Sequence, residues 1–161
     1  MRLCTTALAA IVLTTTPALA APWNAWSGEI GGETIFQAYQ SDPSTGYELN
    51  YSCNPSTGAE QITITGAERI DAGADYAPEV PVVLLVDTTA IDYVDFRFEA
   101  ARGYLTVKAS AEGQSGNFDG LIDALSLAQA SIAIAYFDKS MSFSAEGAKE
   151  AIESTRSGCG V

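Results

Sequence analysis

Histidine is absent from this chain of 161 residues. Without it there is no Ser-His-Asp or Cys-His catalytic arrangement, no zincin motif and no His-ligated zinc. The G-x-S-x-G elbow, the S-x-x-K motif, the phosphate-binding Walker loop and the dinucleotide fingerprint are missing too. Basic residues are few, 8 Lys and Arg against 20 Asp and Glu, giving a net charge of −12. That sign disfavours nucleic acid and anionic lipid as partners. It permits a basic partner, and it is equally what solubility alone asks of a surface. Cysteines number three, with no C-x-x-C spacing, so a metal-binding or redox-active thiol has no support. Carboxylates are plentiful, and Asp92 with Asp95 and Asp71 with Asp75 are the closest pairs. Neither fits the D-x-D-x-D-G calcium loop. Two acids that hydrolyse a glycan need a cleft and a raised pKa on one partner, which spacing does not show. The chain is therefore expected to be no enzyme and to hold no metal or cofactor. A carboxylate-based glycan hydrolase is the catalytic alternative, and Asp92 with Asp95 would carry it.

What is present begins with an export signal. Arg2 supplies a minimal positive start, Leu8 to Leu13 a short apolar core, and Ala18-Leu19-Ala20 an A-x-A cleavage site preceded by Pro17. The run is too short to span a bilayer. Residues 1–20 are thus expected to be cleaved, leaving a single periplasmic or secreted domain, 21–161, with no membrane insertion and enough length to bury a core. Cys4 leaves with the signal. Cys53 and Cys159 are left as an even pair in an oxidising compartment, which reads as a disulfide. Loop entropy for so long a closed segment amounts to roughly 4–5 kcal/mol.

The patterning after cleavage is that of short strands. Trp23 and Trp26 open the domain, either as the plug of a core or as an aromatic platform for a ligand. Gly28, Gly31 and Gly32 loosen the following segment, and Thr34 to Tyr39 reads as a strand. Tyr47, Leu49, Tyr51 and Cys53 alternate with Glu48, Asn50 and Ser52. After the turn Asn54 to Gly58 the return strand Gln61 to Thr65 places Ile62 and Ile64 inward. Residues 66–81 form a long polar excursion of undetermined role. Val82 to Val86 is an all-apolar strand. Ile91 to Glu99 is a strand with Val94, Phe96 and Phe98 inward, and Tyr104 to Ala109 returns beside it. That pairing gathers Tyr93, Asp95, Arg97, Tyr104, Thr106 and Lys108 on one exposed face, the most chemically varied surface that the sequence yields. It is a candidate interaction surface or an ordinary solvated sheet face. Glu112 to Asn117 is a Gly-rich loop, Asn117 caps a helix to about Gln129, and Asp119 in its first turn argues against an anion there.

The tail organises the rest. Ile132, Ile134 and Tyr136 alternate with Ala133, Ala135 and Phe137, so both faces are apolar and the strand is expected to be central and covered on both sides. Met141 and Phe143 alternate with serines. Ser144 is expected to cap a helix whose Ala145, Ala148, Ile152 and Thr155 share a face, with Lys149 and Glu153 in i,i+4 register and Gly158 at its end. Phe143-Ser144-Ala145-Glu146-Gly147-Ala148, then Ala151-Ile152 and Cys159, resembles the end of small exported bacterial proteins of the invasion-associated locus B type. A looser analogy is to periplasmic lysozyme inhibitors, small acidic β-barrels with a disulfide to the C-terminal region, from which no residue carries over. Both resemblances imply a β-rich domain of the bacterial envelope.

The expected fold is α+β and β-rich: a mostly antiparallel sandwich or partly closed barrel with two short helices and one disulfide. The expected function is binding, possible targets being a basic envelope protein or a small ligand held by the sheet, with Trp23 and Trp26 as its aromatics.

Overall fold

The computed structural model describes residues 21–69, 81–101 and 103–161. The signal segment 1–20, Asp71 with Asp75, and most of the 66–81 excursion lie outside them.

Among the described residues ten strands and two helices follow one another as β1 (Asn24–Ile30), β2 (Glu33–Ser41), β3 (Glu48–Asn54), β4 (Ala59–Arg69), β5 (Val83–Val86), β6 (Thr89–Ile91), β7 (Arg97–Ala101), β8 (Tyr104–Ser110), α1 (Ser115–Leu127), β9 (Ser131–Tyr136), β10 (Lys139–Ser144) and α2 (Ala148–Cys159). All strand pairings are antiparallel. They build a six-stranded sheet in the order β1-β2-β3-β4-β8-β7 and a four-stranded sheet in the order β10-β9-β5-β6, neither closed into a barrel. The expected β-rich α+β sandwich with two helices and one disulfide is thus the fold observed.

Hydrophobic alternation explains the first sheet. Ala38, Leu49, Tyr51, Ile62, Ile64, Val107 and Ala109 stand in facing register on its inner side and are all buried. Burial of one such aliphatic side chain contributes about 1.5–3 kcal/mol. Tyr51 is buried to the ring tip, where its hydroxyl donates to Glu60 Oε1. Burial, and then the neighbouring carboxylate, push the Tyr51 phenol well above its ordinary range. Helix α2 lies on β2, β1 and β3, and α1 lies on α2 and reaches β8. Phe98 of β7 meets Tyr136 of β9 edge-on at 5.5 Å and ties the two sheets together.

The tail is fixed at both ends. Trp23 is 5 % exposed. Its backbone N–H donates to Glu146 O at 2.9 Å, and its indole N–H to Ser144 O at 2.8 Å. Trp23 is therefore a core plug that fastens the start of the domain to the β10–α2 connection. At the far end Cys53 and Cys159 are joined, as expected, with 106 positions between them. Gly158 does not end α2; Gly160 does, with φ 75°. Gly158 instead admits the Phe36 ring, since a Cβ there would lie 2.3 Å from Phe36 Cδ1.

Several local expectations are corrected. Ser144 closes β10 and accepts the N–H of Glu146, while α2 starts four residues later behind Gly147, whose φ is 77°. Asn117 lies inside α1, not at its cap. Gly28 belongs to β1, and the turn is Gly31-Gly32. Strand β9 is interior to its sheet, but only Ile132, Ile134 and Tyr136 are buried; Ala133 and Ala135 are half-exposed, so one face is covered and not two. The stretch from Ile91 to Glu99 is not one strand. β6 ends at Ile91 in the small sheet and β7 begins at Arg97 in the large one. Burial alternates from Val94 on, with Val94 and Phe96 inside, but Asp92 and Tyr93 are both exposed after the buried Ile91, so the phase shifts at the crossing.

The crossing and the α1–β9 connection are held by side chains that replace missing sheet bonds. Gln114 accepts from the Asp95 N–H at 2.9 Å and donates to the carbonyls of Asp95 at 3.1 Å and Ser110 at 2.9 Å, while Asn117 donates to Tyr93 O at 2.7 Å. Asp87, in the β5–β6 turn at φ 55°, accepts from the backbone N–H groups of Gln129, Ala130 and Ser131. Those three donors hold its carboxyl below the ordinary carboxylate range.

Two predictions follow from this framework. Cys53→Ser combined with Cys159→Ser should lower the unfolding free energy by about 2–5 kcal/mol in urea titrations; an unchanged midpoint would show that the bridge does not hold α2. The second concerns acid. Because the folded pKa of Asp87 is depressed, its contribution is present above its unfolded value of about 3.9 and is lost as pH falls through the folded value. Asp87→Asn should then be less stable than the wild type at pH 7, and the gap between the two should close below about pH 4. A gap that stays constant down to pH 2 in the same titration would contradict this role of the carboxylate.

Candidate functional site

Of the six expected surface residues, Arg97, Tyr104, Thr106 and Lys108 share the outer face of β7 and β8, and Tyr93 does not join them. Asp95, Arg97 and Lys108 come together, with Glu99, Glu112 and Gln114, around an open cleft of about 470 Å³. Arg97 stands opposite Lys108 across β7 and β8, and Lys108 Nζ is 3.4 Å from Glu99 Oε1. Tyr93 is elsewhere, against Gly120 of α1, because the chain there has left one sheet without joining the other. Tyr104 and Thr106 line a different and larger groove. Thr106 points outward as expected but is 4 % exposed, not open to solvent. Of the acid pair Asp92 and Asp95, only Asp95 lines a described cleft.

The larger groove occupies the outer face of the six-stranded sheet and measures about 730 Å³. The pleat that sends Leu49, Tyr51 and Cys53 inward sends Glu48, Asn50 and Ser52 outward. Register then carries the polar positions from strand to strand. Trp26 stands opposite Gln37, Gln37 opposite Ser52 and Ser52 opposite Gln61. Asn50 faces Thr63, and Thr65 lies between Glu48 and Thr106. From β1 to β8 this is four strand spacings, roughly 19 Å. In a chain with 20 acidic residues, Glu48 is the one acidic residue among those described along the groove, and two cations border it, Lys108 opposite Thr63 and Arg69 over Tyr104.

The two ends are aromatic. Trp26, 41 % exposed, lies over Gly28, where a Cβ would come within 2.3 Å of its Cζ2. The missing side chain at Gly28 is thus the seat of the indole. The two tryptophans have separate roles: Trp23 belongs to the core and Trp26 to the surface. At the opposite end Tyr104 has the Arg69 guanidinium 5.7 Å above its ring, a cation–π contact.

Between these ends two side chains are incompletely satisfied. Among the described residues Asn50 Oδ1 and Thr106 Oγ1 are buried without a hydrogen-bond partner, in residues 8 % and 4 % exposed. A buried polar atom left unpaired costs about 1–3 kcal/mol. Both residues line the groove. Gln37, Asn50, Gln61, Thr63 and Thr65 were not singled out by local sequence reasoning. Their one signal is a run of uncharged polar residues at the outward positions of an otherwise acidic protein. Among the described residues no three side chains of the metal-ligating kinds form a group, and no helix is long and apolar enough to cross a membrane.

Comparison with known protein families, curated proteins and solved structures gave no match. The likeness of the tail to locus B-type proteins therefore rests on its own few residues, and the site is argued from its geometry.

Gly28→Ala should unseat the Trp26 indole, since the added methyl overlaps it. The expected result is greater acrylamide quenching of Trp26 emission, Trp23 staying protected. Stability should change by less than about 1 kcal/mol, because β1 is an edge strand. Unaltered quenching would show that Gly28 does not set the ring.

Proposed function

We propose that this protein is an exported, non-catalytic binding domain that recognises its target with the outer face of its six-stranded sheet. The observation that carries the reading is the groove itself, a continuous surface of amides and hydroxyls across five strands, bordered by Lys108, with an aromatic at each end. Binding sites combine apolar or aromatic contact area with a few placed polar groups, and this face has both. The core side of the same sheet is filled by buried side chains and by α2, which leaves the outer side as the free one. A role without catalysis is supported by the missing histidine and by the cleft around Asp95, where the neighbouring Lys108 is paired with Glu99.

A second reading, a basic envelope partner, is carried by the net charge of −12. It draws on the whole surface and not on the groove, so the two separate cleanly. Thr63 sits at the centre of the groove, and Thr63→Arg would fill it without touching the core. The wild-type domain and Thr63→Arg are immobilised and challenged with envelope extract at low salt and at about 0.3 M, where screening is much stronger. Capture by the wild type at both salts, lost in a Thr63→Arg protein of unchanged circular dichroism, is the expected result. Equal capture by both proteins would remove the groove from the function. Capture of a basic protein that salt releases and Thr63→Arg leaves intact would establish the second reading in its place.

A further inference from the structure

Resting on the assignment of the groove as the recognition face, we infer that its ligand is an uncharged glycan chain, bound along the diagonal from Trp26 to Tyr104. The lining decides the chemistry. Asn and Gln amides and Thr hydroxyls each offer both a donor and an acceptor, and a sugar hydroxyl is the ligand group that needs both at once. A phosphorylated, sulfated or otherwise anionic ligand calls for free Arg or Lys forks, whereas the two cations bordering the groove are engaged, Lys108, opposite Thr63, with Glu99 at 3.4 Å and Arg69 on the Tyr104 ring. A cationic ligand would meet Glu48 alone, at one end. A lipid tail requires an apolar lining, whereas the middle of this groove is amide and hydroxyl.

A peptide is disfavoured on different grounds. Peptides most readily join a sheet by adding a strand at its edge, through backbone hydrogen bonds. Here the floor is the face of β2, β3, β4 and β8, each flanked on both sides by a neighbouring strand. Its backbone groups are committed to the ladder, and only side chains remain for recognition. The aromatic ends suit a glycan as well. The indole of Trp26 lies along the strand over Gly28 and is 41 % exposed, so an open ring face is available to stack on the C–H face of a pyranose.

The unpaired atoms point the same way. Of the four buried side-chain N and O atoms without a partner among the described residues, Asn50 Oδ1 and Thr106 Oγ1 belong to residues that line this groove. The separation of about 19 Å between β1 and β8 gives room for a chain of several sugar units and not only a monosaccharide.

The test uses the whole disulfide-bonded domain on an array of neutral oligosaccharides, with sulfated oligosaccharides and a peptide array beside it. Hits are titrated by isothermal calorimetry. Expected is saturable binding to at least one neutral oligosaccharide, unchanged at about 0.3 M salt. Trp26→Ala should weaken it roughly tenfold, the scale of one well-placed contact. Thr106→Val is the decisive variant, because it deletes only the unpaired hydroxyl in a nearly isosteric side chain. A purely structural Thr106 predicts equal or higher stability and no change in binding; the glycan site predicts equal or higher stability with binding weakened roughly threefold to tenfold. Silence on every neutral oligosaccharide, or binding that both variants leave untouched, would overturn the inference. Binding of sulfated chains or peptides in place of neutral ones would overturn it too. If Thr63→Arg still abolishes capture from extract while neutral oligosaccharides fail, the recognition face stands and the glycan does not.

Discussion

The hold of α2 on the inner face of β1, β2 and β3 is the constraint on which the rest depends. Sheet faces of this kind must be covered, and the contact here is thin. Ala38 on β2 and Ala148 and Ala151 on the helix are small and buried, which lets the two backbones approach closely, while Ala25 and Ser27 of β1 stay exposed at the rim. Only Ile152 brings a large aliphatic side chain from the buried face of α2, and one such residue contributes about 1.5–3 kcal/mol. A cross-link over 106 positions has a similar or larger magnitude, about 2–5 kcal/mol. The Cys53–Cys159 bridge and the Phe36 ring set against Gly158 are therefore comparable in weight to the apolar seam that they close. The surface ion pair between Arg156 and Asp123, at 2.9 Å, links α2 to α1 but adds only about 0–1 kcal/mol. With the inner face sealed by its own tail, the large sheet has one face left for the outside world.

Much of this was legible in the chain. Period-two alternation located the strands from Tyr47 to Thr65 and from Tyr104 to Ala109 with the correct faces, because those residues pair with sequence neighbours or with one long antiparallel partner. The disulfide followed from the compartment and the cysteine count, not from geometry. The stretch from Ile91 to Glu99 was misread for a definite reason. Alternation from Val94 to Glu99 is clean and hides the phase shift before it, where two exposed residues, Asp92 and Tyr93, separate buried Ile91 from buried Val94 as the chain changes sheet. What breaks the strand is the partner of the backbone: Gln114 and Asn117 bond to Asp95 and Tyr93 where a neighbouring strand would otherwise do so. No local propensity encodes that. The start of α2 escaped notice in the same way. Ser144 has the right side chain for a cap, but Trp23 takes its carbonyl and the carbonyl of Glu146, residues more than a hundred positions away. The groove is the least legible feature. Its residues come from five strands, and each taken singly is an ordinary outward-facing Gln, Asn or Thr.

Two of the unpaired buried atoms have local accounts. Gln40 leaves Oε1 unpaired, yet its Nε2 donates to Ala21 O and so fastens the chain ahead of β1. Thr155 sits on the buried face of α2, one turn before Cys159, where a β-branched residue packs against the sheet whether or not its hydroxyl is used. Asn50 and Thr106 differ from both. Neither is given a side-chain hydrogen bond within the fold, both are outward on strands, and apolar residues of the same size would relieve the unpaired oxygens at no geometric cost. Their polar atoms thus serve nothing in the folded chain that Leu and Val would not serve as well. They stand along a groove of amides and hydroxyls in a protein of net charge −12, on the face that α2 leaves open. Polarity that works against the fold, gathered in the one place where a ligand could satisfy it, is the physical ground for reading this face as a site and not as bare sheet.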